Sequence, residues 1–154
     1  LDTVLKKGAE LVKRKGIKCL VIDPYNKVKM KGASDMSIPD ATMEYLARIE
    51  AFAKKYDVLV IVVAHPTKMY KKDDGTIDEP TMYNIKGGGE WYDASYHGLL
   101  VHRDYTNNSV KVKVLKVKFQ NLGENQAEAH FKWNHASGDY MPLTTFSNET
   151  MPWD

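Results

Sequence analysis

Cysteine is almost absent from this 154-residue chain: Cys19 is the single one, and it stands inside an apolar run. No internal disulfide can form, so a secreted disulfide scaffold is excluded and an intracellular origin is expected. Long apolar runs are missing too. Cys19 to Ile22 and Val58 to Ala64 are the longest, far short of the roughly 20 residues a membrane-spanning helix needs. Nor does one sign of charge dominate. Twenty-two Lys and Arg face 20 Asp and Glu for a formal charge of +2, so a nucleic-acid partner would have to be met by a local patch. No HExxH or GxSxG motif is present, and Gly87-Gly88-Gly89 lacks GxGxxG spacing. His97 and His102, like His130 and His135, have no cysteine partners at ligand spacing, and neither a zinc site nor nucleophilic catalysis is expected. There is no repeat, low-complexity tract or signal peptide. The chain opens on Leu1 rather than Met, which sets the expectation of a piece cut from a longer protein.

What is there is the patterning of one globular α/β domain, with 43% hydrophobic and 27% charged residues. Leu1, Val4, Leu5, Ala9, Leu11 and Val12 recur at helical spacing, and Gly16 stops the helix after Lys13, Arg14 and Lys15. Cys19 to Ile22 is continuously apolar, as befits a parallel strand covered on both faces. Residues 27–38 read as a loop. Pro39 and Asp40 start a second helix whose buried stripe is Leu46, Ile49, Ala53 and Tyr56. Val58 to Ala64 is the next strand, closed by His65-Pro66. Strand, helix, strand in this order is a βαβ unit and predicts a mostly parallel sheet.

Residues 66–89 are polar, Gly/Lys/Asp-rich and without periodicity, a length of loop that is usually functional or mobile. A short helix is expected over Glu90 to Tyr96, then strands at Gly98 to Arg103 and Val110 to Phe119 around a turn at Thr106-Asn107-Asn108-Ser109. The alternation in the second of these strands changes parity, Val110, Val112 and Val114 against Leu115, Val117 and Phe119. That predicts a bulge near Leu115 or burial on both faces. Ala129 to Trp133 is a last strand and Met141 to Asp154 a loose tail.

Four apolar residues followed by Asp23 have the form of a Walker B strand, whose carboxylate can hold magnesium at the carboxyl edge of an open α/β sheet. His65 ends the neighbouring strand of the same βαβ unit. If the two strands are adjacent, both residues emerge at one edge, where an imidazole could contact a terminal phosphate. Lys116 and Lys118 lie near a strand end and could reach phosphates bound at a neighbouring subunit. Lys111 and Lys113 read as a solvated strand face. The loop lysines Lys68, Lys71, Lys72 and Lys86 can track a phosphodiester backbone, although Asp73, Asp74, Asp78 and Glu79 cancel much of their charge.

In order, CLVIDPYNKV, VLVIVVAHPTK, IKGGGEWYDASYHGLLVHRD and VLKVKFQNLGE resemble the hexameric replicative DNA helicases of the DnaB type. Phage primase-helicases and mitochondrial replicative helicases offer the nearest likeness, over roughly residues 1 to 133. The resemblance implies the C-terminal part of a RecA-like P-loop NTPase core, with a mostly parallel central sheet flanked by helices. Residues 1–140 would be a partial ATPase domain and 141–154 a tail. It implies ATP and Mg2+ as cofactors, with Asp23 as the magnesium and water-positioning residue, His65 as the γ-phosphate sensor, and Lys116 and Lys118 as phosphate contacts in trans. The family usually carries arginine where Lys118 stands, and lysine supplies the charge without the bidentate fork. Loops 27–38 and 66–89, with Lys29, Lys31, Lys68, Lys71, Lys72 and Lys86, would face a central channel and hold single-stranded DNA in a homo-hexamer. A bacterial or phage cytoplasm is the implied setting, with no membrane.

Nothing in the chain matches GxxxxGK[ST]. By the family pattern that loop and the catalytic glutamate lie upstream, so these residues alone are not expected to hydrolyse ATP. Two other functions fit the same residues. One is a recombinase-like or regulatory RecA-family ATPase, and the other a non-catalytic single-stranded DNA-binding or assembly module.

Overall fold

The computed structural model describes residues 1–154 apart from 30, 31, 71, 72, 74–77, 106 and 144–154. The chain forms two compact units, Leu1–Ser95 and Tyr96–Asp154.

The first unit begins with α1, Asp2–Lys15, whose basic last turn suits the negative end of the helix dipole. Gly16 ends it in the left-handed region at φ 66°, its N–H returning to the Val12 carbonyl. Next come β1, Cys19–Ile22, then α2, Ile38–Tyr56, and β2, Leu59–Val62. At the start of α2 the Ser37 hydroxyl accepts from the Asp40 N–H at 3.3 Å, which satisfies one orphan helix donor. Leu46 and Ile49 are buried on α2 as the spacing predicts, joined by Tyr45 and Phe52, while Ala53 and Tyr56 are half-buried. Gly8 of α1 is buried against Phe52 and Leu20, where an added Cβ would meet ring carbon at 3.0 Å. That close approach seats α1 on the strand layer. The expected helix over Glu90 to Tyr96 is α3, Gly88–Ala94.

β1 and β2 pair in parallel, Cys19 with Leu59 through Ile22 with Val62. The βαβ unit is therefore present, but among the described residues of this unit its strands are covered on one face alone. Leu20, Ile22, Val60 and Val62 turn inward, whereas Val21 is 55% and Leu59 59% exposed, with Cys19 and Ile61 on the same open side. Continuous apolarity records what both faces can tolerate. What covers the second face lies outside the pattern.

The expectation of a mostly parallel sheet also needs correction. The second unit is an antiparallel sheet in the order β3-β4-β5-β6, built from His97–Asp104, Ser109–Val117, Glu128–Asn134 and Asp139–Pro142. Its connections are too short for parallel crossovers. Asn108 takes φ 50° at the β3–β4 turn, and Gly138 takes φ 75° before β6. Between Gly98 and Leu99 the register slips, Gly98 facing Lys116 and Leu99 facing Val114. Leu115 is the unpaired residue, which is the bulge that the change of parity predicted. β6 crosses the expected boundary between domain and tail at residue 141. An α/β chain with one parallel βαβ unit is compatible with a RecA-like core, and the four-stranded antiparallel sheet stands beside it as an observation of its own.

Candidate functional site

Asp23 follows Ile22, which at 3% exposure anchors the end of β1 in the core. The ladder continues past the strand ends: Val63 N–H donates to the Ile22 carbonyl at 2.8 Å, and Tyr25 N–H to the Val63 carbonyl at 2.9 Å. Asp23 thus leaves the sheet level with Val63; β2 ends at Val62 rather than at Ala64, so His65 stands past the strand end instead of closing it. Both side chains are exposed at the same carboxyl edge. The adjacency on which their joint reading depended is present.

A single carboxylate suits magnesium, which keeps several waters and takes one or two protein carboxylates along with substrate phosphates. Among the described residues no cluster of three or more His, Cys, Asp or Glu could cage a metal ion on its own.

The chain between these elements is tied down by aromatic residues that the sequence reading passed over. Tyr25 opens a 3-10 turn, Tyr25–Lys27, immediately after Asp23-Pro24. Its ring meets Trp91 edge-on at 4.8 Å and Tyr45 at 5.8 Å. The Tyr25 hydroxyl and the Trp91 indole N–H both donate to the Lys86 carbonyl, at 3.2 and 3.1 Å. Burial pushes the Tyr45 phenol up to about 12, with a smaller push from Tyr25. Its hydroxyl finds no hydrogen-bond partner among the described residues. The DPY and EWYD triplets are the signals that could have pointed to this cluster, but nothing local says that they meet.

Two of the three glycines next to it are shaped by close contact, while Gly89 has open space around it. Gly87 adopts φ 84° with the Thr42 hydroxyl where a Cβ would stand, and a Cβ on Gly88 would lie 2.2 Å from the Tyr83 carbonyl oxygen. Both positions have room for hydrogen alone.

The other candidates fall as follows. Lys29, Lys68 and Lys86 are exposed. Lys31, Lys71 and Lys72 lie outside the described residues. Lys116 and Lys118 belong to the second unit: Lys116 faces Gly98 across the ladder, and the Lys118 ammonium sits 4.1 Å from the Tyr96 ring centroid. Lys111 and Lys113 are not simply a solvated face. Glu128 on β5 reaches them at 3.8 and 3.1 Å, and His130 at 3.4 Å. A groove of about 520 Å3 between α1 and α2, floored by Leu5, Ala9, Phe52 and Tyr56, carries none of the candidate residues. Among the described residues no helix is long and apolar enough to cross a membrane.

No family model matches the chain. It is similar to a Twinkle homolog. That relative, the Twinkle homolog protein, chloroplastic/mitochondrial, of Arabidopsis thaliana, is 28% identical over 151 residues. The match takes in 94% of this chain and 21% of the relative, so the chain spans about a fifth of the relative's length. The similarity supports the DnaB-like helicase family that the four motifs resemble, without selecting a phage or a bacterial type.

Proposed function

We propose that this chain is part of an ATP-driven replicative DNA helicase, working as the C-terminal portion of a RecA-like motor that moves along one DNA strand. The observation that carries the reading is the parallel pairing of β1 with β2, which sets Asp23 and His65 at one sheet edge. Ligands of open α/β sheets bind at that edge. The similarity to the Twinkle homolog supports it independently, and so does the open apolar face of β1 and β2, as befits a partial domain.

In this reading Asp23 holds magnesium, directly or through water, and His65 touches the terminal phosphate and registers its loss. The bound Mg·ATP supplies the phosphoryl group and the charge that the protein must stabilise. Lys116 and Lys118 act on phosphates of a neighbouring subunit in a homo-hexamer. Lys118 does so as a point charge held over Tyr96, without the fork of an arginine. Lys29, Lys31, Lys68, Lys71, Lys72 and Lys86 follow the backbone of single-stranded DNA. The relative is an organellar plant protein by name, and the bacterial or phage setting implied by the motifs is not part of this proposal.

ATP hydrolysis by the protein that carries this segment, with and without single-stranded DNA, is the test. Asp23→Asn abolishes it and His65→Ala uncouples it from DNA. Equal turnover by all three proteins would leave a single-stranded DNA-binding or assembly module as the better reading.

A further inference from the structure

Tyr83 and Tyr92 stack with ring centroids 5.1 Å apart and planes 20° from parallel. Tyr83 is 60% exposed, yet its ring is held in a defined pose against Tyr92. What holds it is visible on both sides. Its neighbour Met82 is buried, and so is Trp91, the neighbour of Tyr92. The exposed ring of Tyr83 and the half-buried ring of Tyr92 are thus each carried by a neighbour sunk in the core.

The backbone beneath is equally constrained. Thr81 N–H donates to the Asn84 side chain at 2.7 Å, and Thr67 N–H to the Asn84 carbonyl at 2.7 Å. Pro66 bridges to Ile85. Gly88 lets the first turn of α3 close onto the Tyr83 carbonyl, and the Lys86 carbonyl is fixed by Tyr25 and Trp91. The result is a preorganised aromatic step with the exposed cation Lys86 three residues on.

We infer that the Tyr83–Tyr92 pair is a stacking platform for a nucleobase of single-stranded nucleic acid, with Lys86 taking the adjacent phosphate. This deepens the reading proposed above and rests on it. Lysines alone follow a strand through its phosphates and are indifferent to whether bases are present. A flat exposed ring adds a contact that every base can make and an abasic sugar cannot. The outer face of Tyr83 receives the base, and Tyr92 backs it so that binding costs little ordering of the ring.

The experiment is fluorescence anisotropy of two labelled probes, a deoxythymidine 12-mer and an abasic 12-mer with the same phosphates, titrated with the full chain and its variants. Wild type binds the thymidine probe more tightly than the abasic one. Tyr83→Ala weakens thymidine binding by about five- to a hundredfold and removes the difference between probes, with an unchanged salt dependence. Tyr83→Phe and Tyr83→Trp keep the preference, which shows that the fold and the ring rather than the hydroxyl matter. Lys86→Ala lowers the salt slope by about 0.7 and keeps the preference. If wild type binds both probes equally, or Tyr83→Ala binds as wild type does, the platform is overturned while the helicase reading stands. Absence of binding to either probe overturns both.

Discussion

Tyr25 and Trp91, 66 positions apart in the chain, share one acceptor: the phenol and the indole N–H both close on the Lys86 carbonyl. This joins the turn after Asp23 to the end of the lysine-bearing loop. The tie is made inside one compact unit, between residues on either side of α2 and β2 in the chain.

Removing one of the two donors tests how much the tie contributes. Tyr25→Phe keeps the ring against Trp91 and Tyr45 and loses only the hydrogen bond, so a loss of about 0.5–1.5 kcal/mol is expected in urea unfolding. Because Trp91 still satisfies the carbonyl, the value should lie near the lower end. Hydrogen exchange should rise at residues 86–88 rather than throughout the unit.

Tyr45 behaves in the opposite way. Its buried hydroxyl has no partner among the described residues, so Tyr45→Phe should leave the protein about 1 kcal/mol more stable or unchanged. The pH profile adds an independent check. Below pH 10 the phenol is protonated whether the chain is folded or not, and its contribution is complete. Between pH 10 and about 12 the unfolded chain gives up a proton that the folded chain keeps, so stability falls as pH rises. Unfolding midpoints measured from pH 9 to 11.5 should decline less steeply in Tyr45→Phe, with Tyr25 supplying part of what remains.

Two glycines with positive φ should respond differently to alanine. Gly16 has nothing within 4 Å of the added carbon, so Gly16→Ala costs only the left-handed strain, about 1 kcal/mol. Gly87 carries the same strain and also the Thr42 side chain in the way. Gly87→Ala should therefore cost a further 1–3 kcal/mol or so from overpacking. Equal losses in thermal unfolding would contradict this packing of α2 against the glycine run.

Lys118 sits over Tyr96, and the pair should contribute about 0.5–1 kcal/mol if it remains solvated. Lys118→Met and Tyr96→Leu are expected to show that coupling in a double-mutant cycle. Lys118→Arg should keep it, since a guanidinium stacks on the same ring.

Several of these relationships were legible in the sequence, and the reasons differ. Gly16 was readable as a helix stop because its chemistry is local. The bulge at Leu115 was readable because a one-residue slip moves every later side chain to the other face. The adjacency of the two strands that Asp23 and His65 follow is legible in the βαβ order. The antiparallel second sheet is only partly legible: the turn at Asn107-Asn108 signals a hairpin, but the parallel βαβ unit before it does not carry over to the strands that follow. The open face of β1 and β2 could not be read at all, since Val21 and Leu59 look alike whether covered or bare. The Tyr25–Tyr45–Trp91 cluster and the Tyr83–Tyr92 stack are tertiary meetings without local periodicity. In the glycine run next to them, Gly87 and Gly88 are required by close packing that no local pattern announces.

The measurement that bears most directly on the central claim is ATP-dependent strand displacement by the protein carrying this segment, with Asp23→Asn beside wild type. Displacement by wild type and none by the variant, at matched DNA binding, is the predicted result. Displacement at the wild-type rate by Asp23→Asn would contradict a magnesium-nucleotide role for the sheet edge that Asp23 shares with His65.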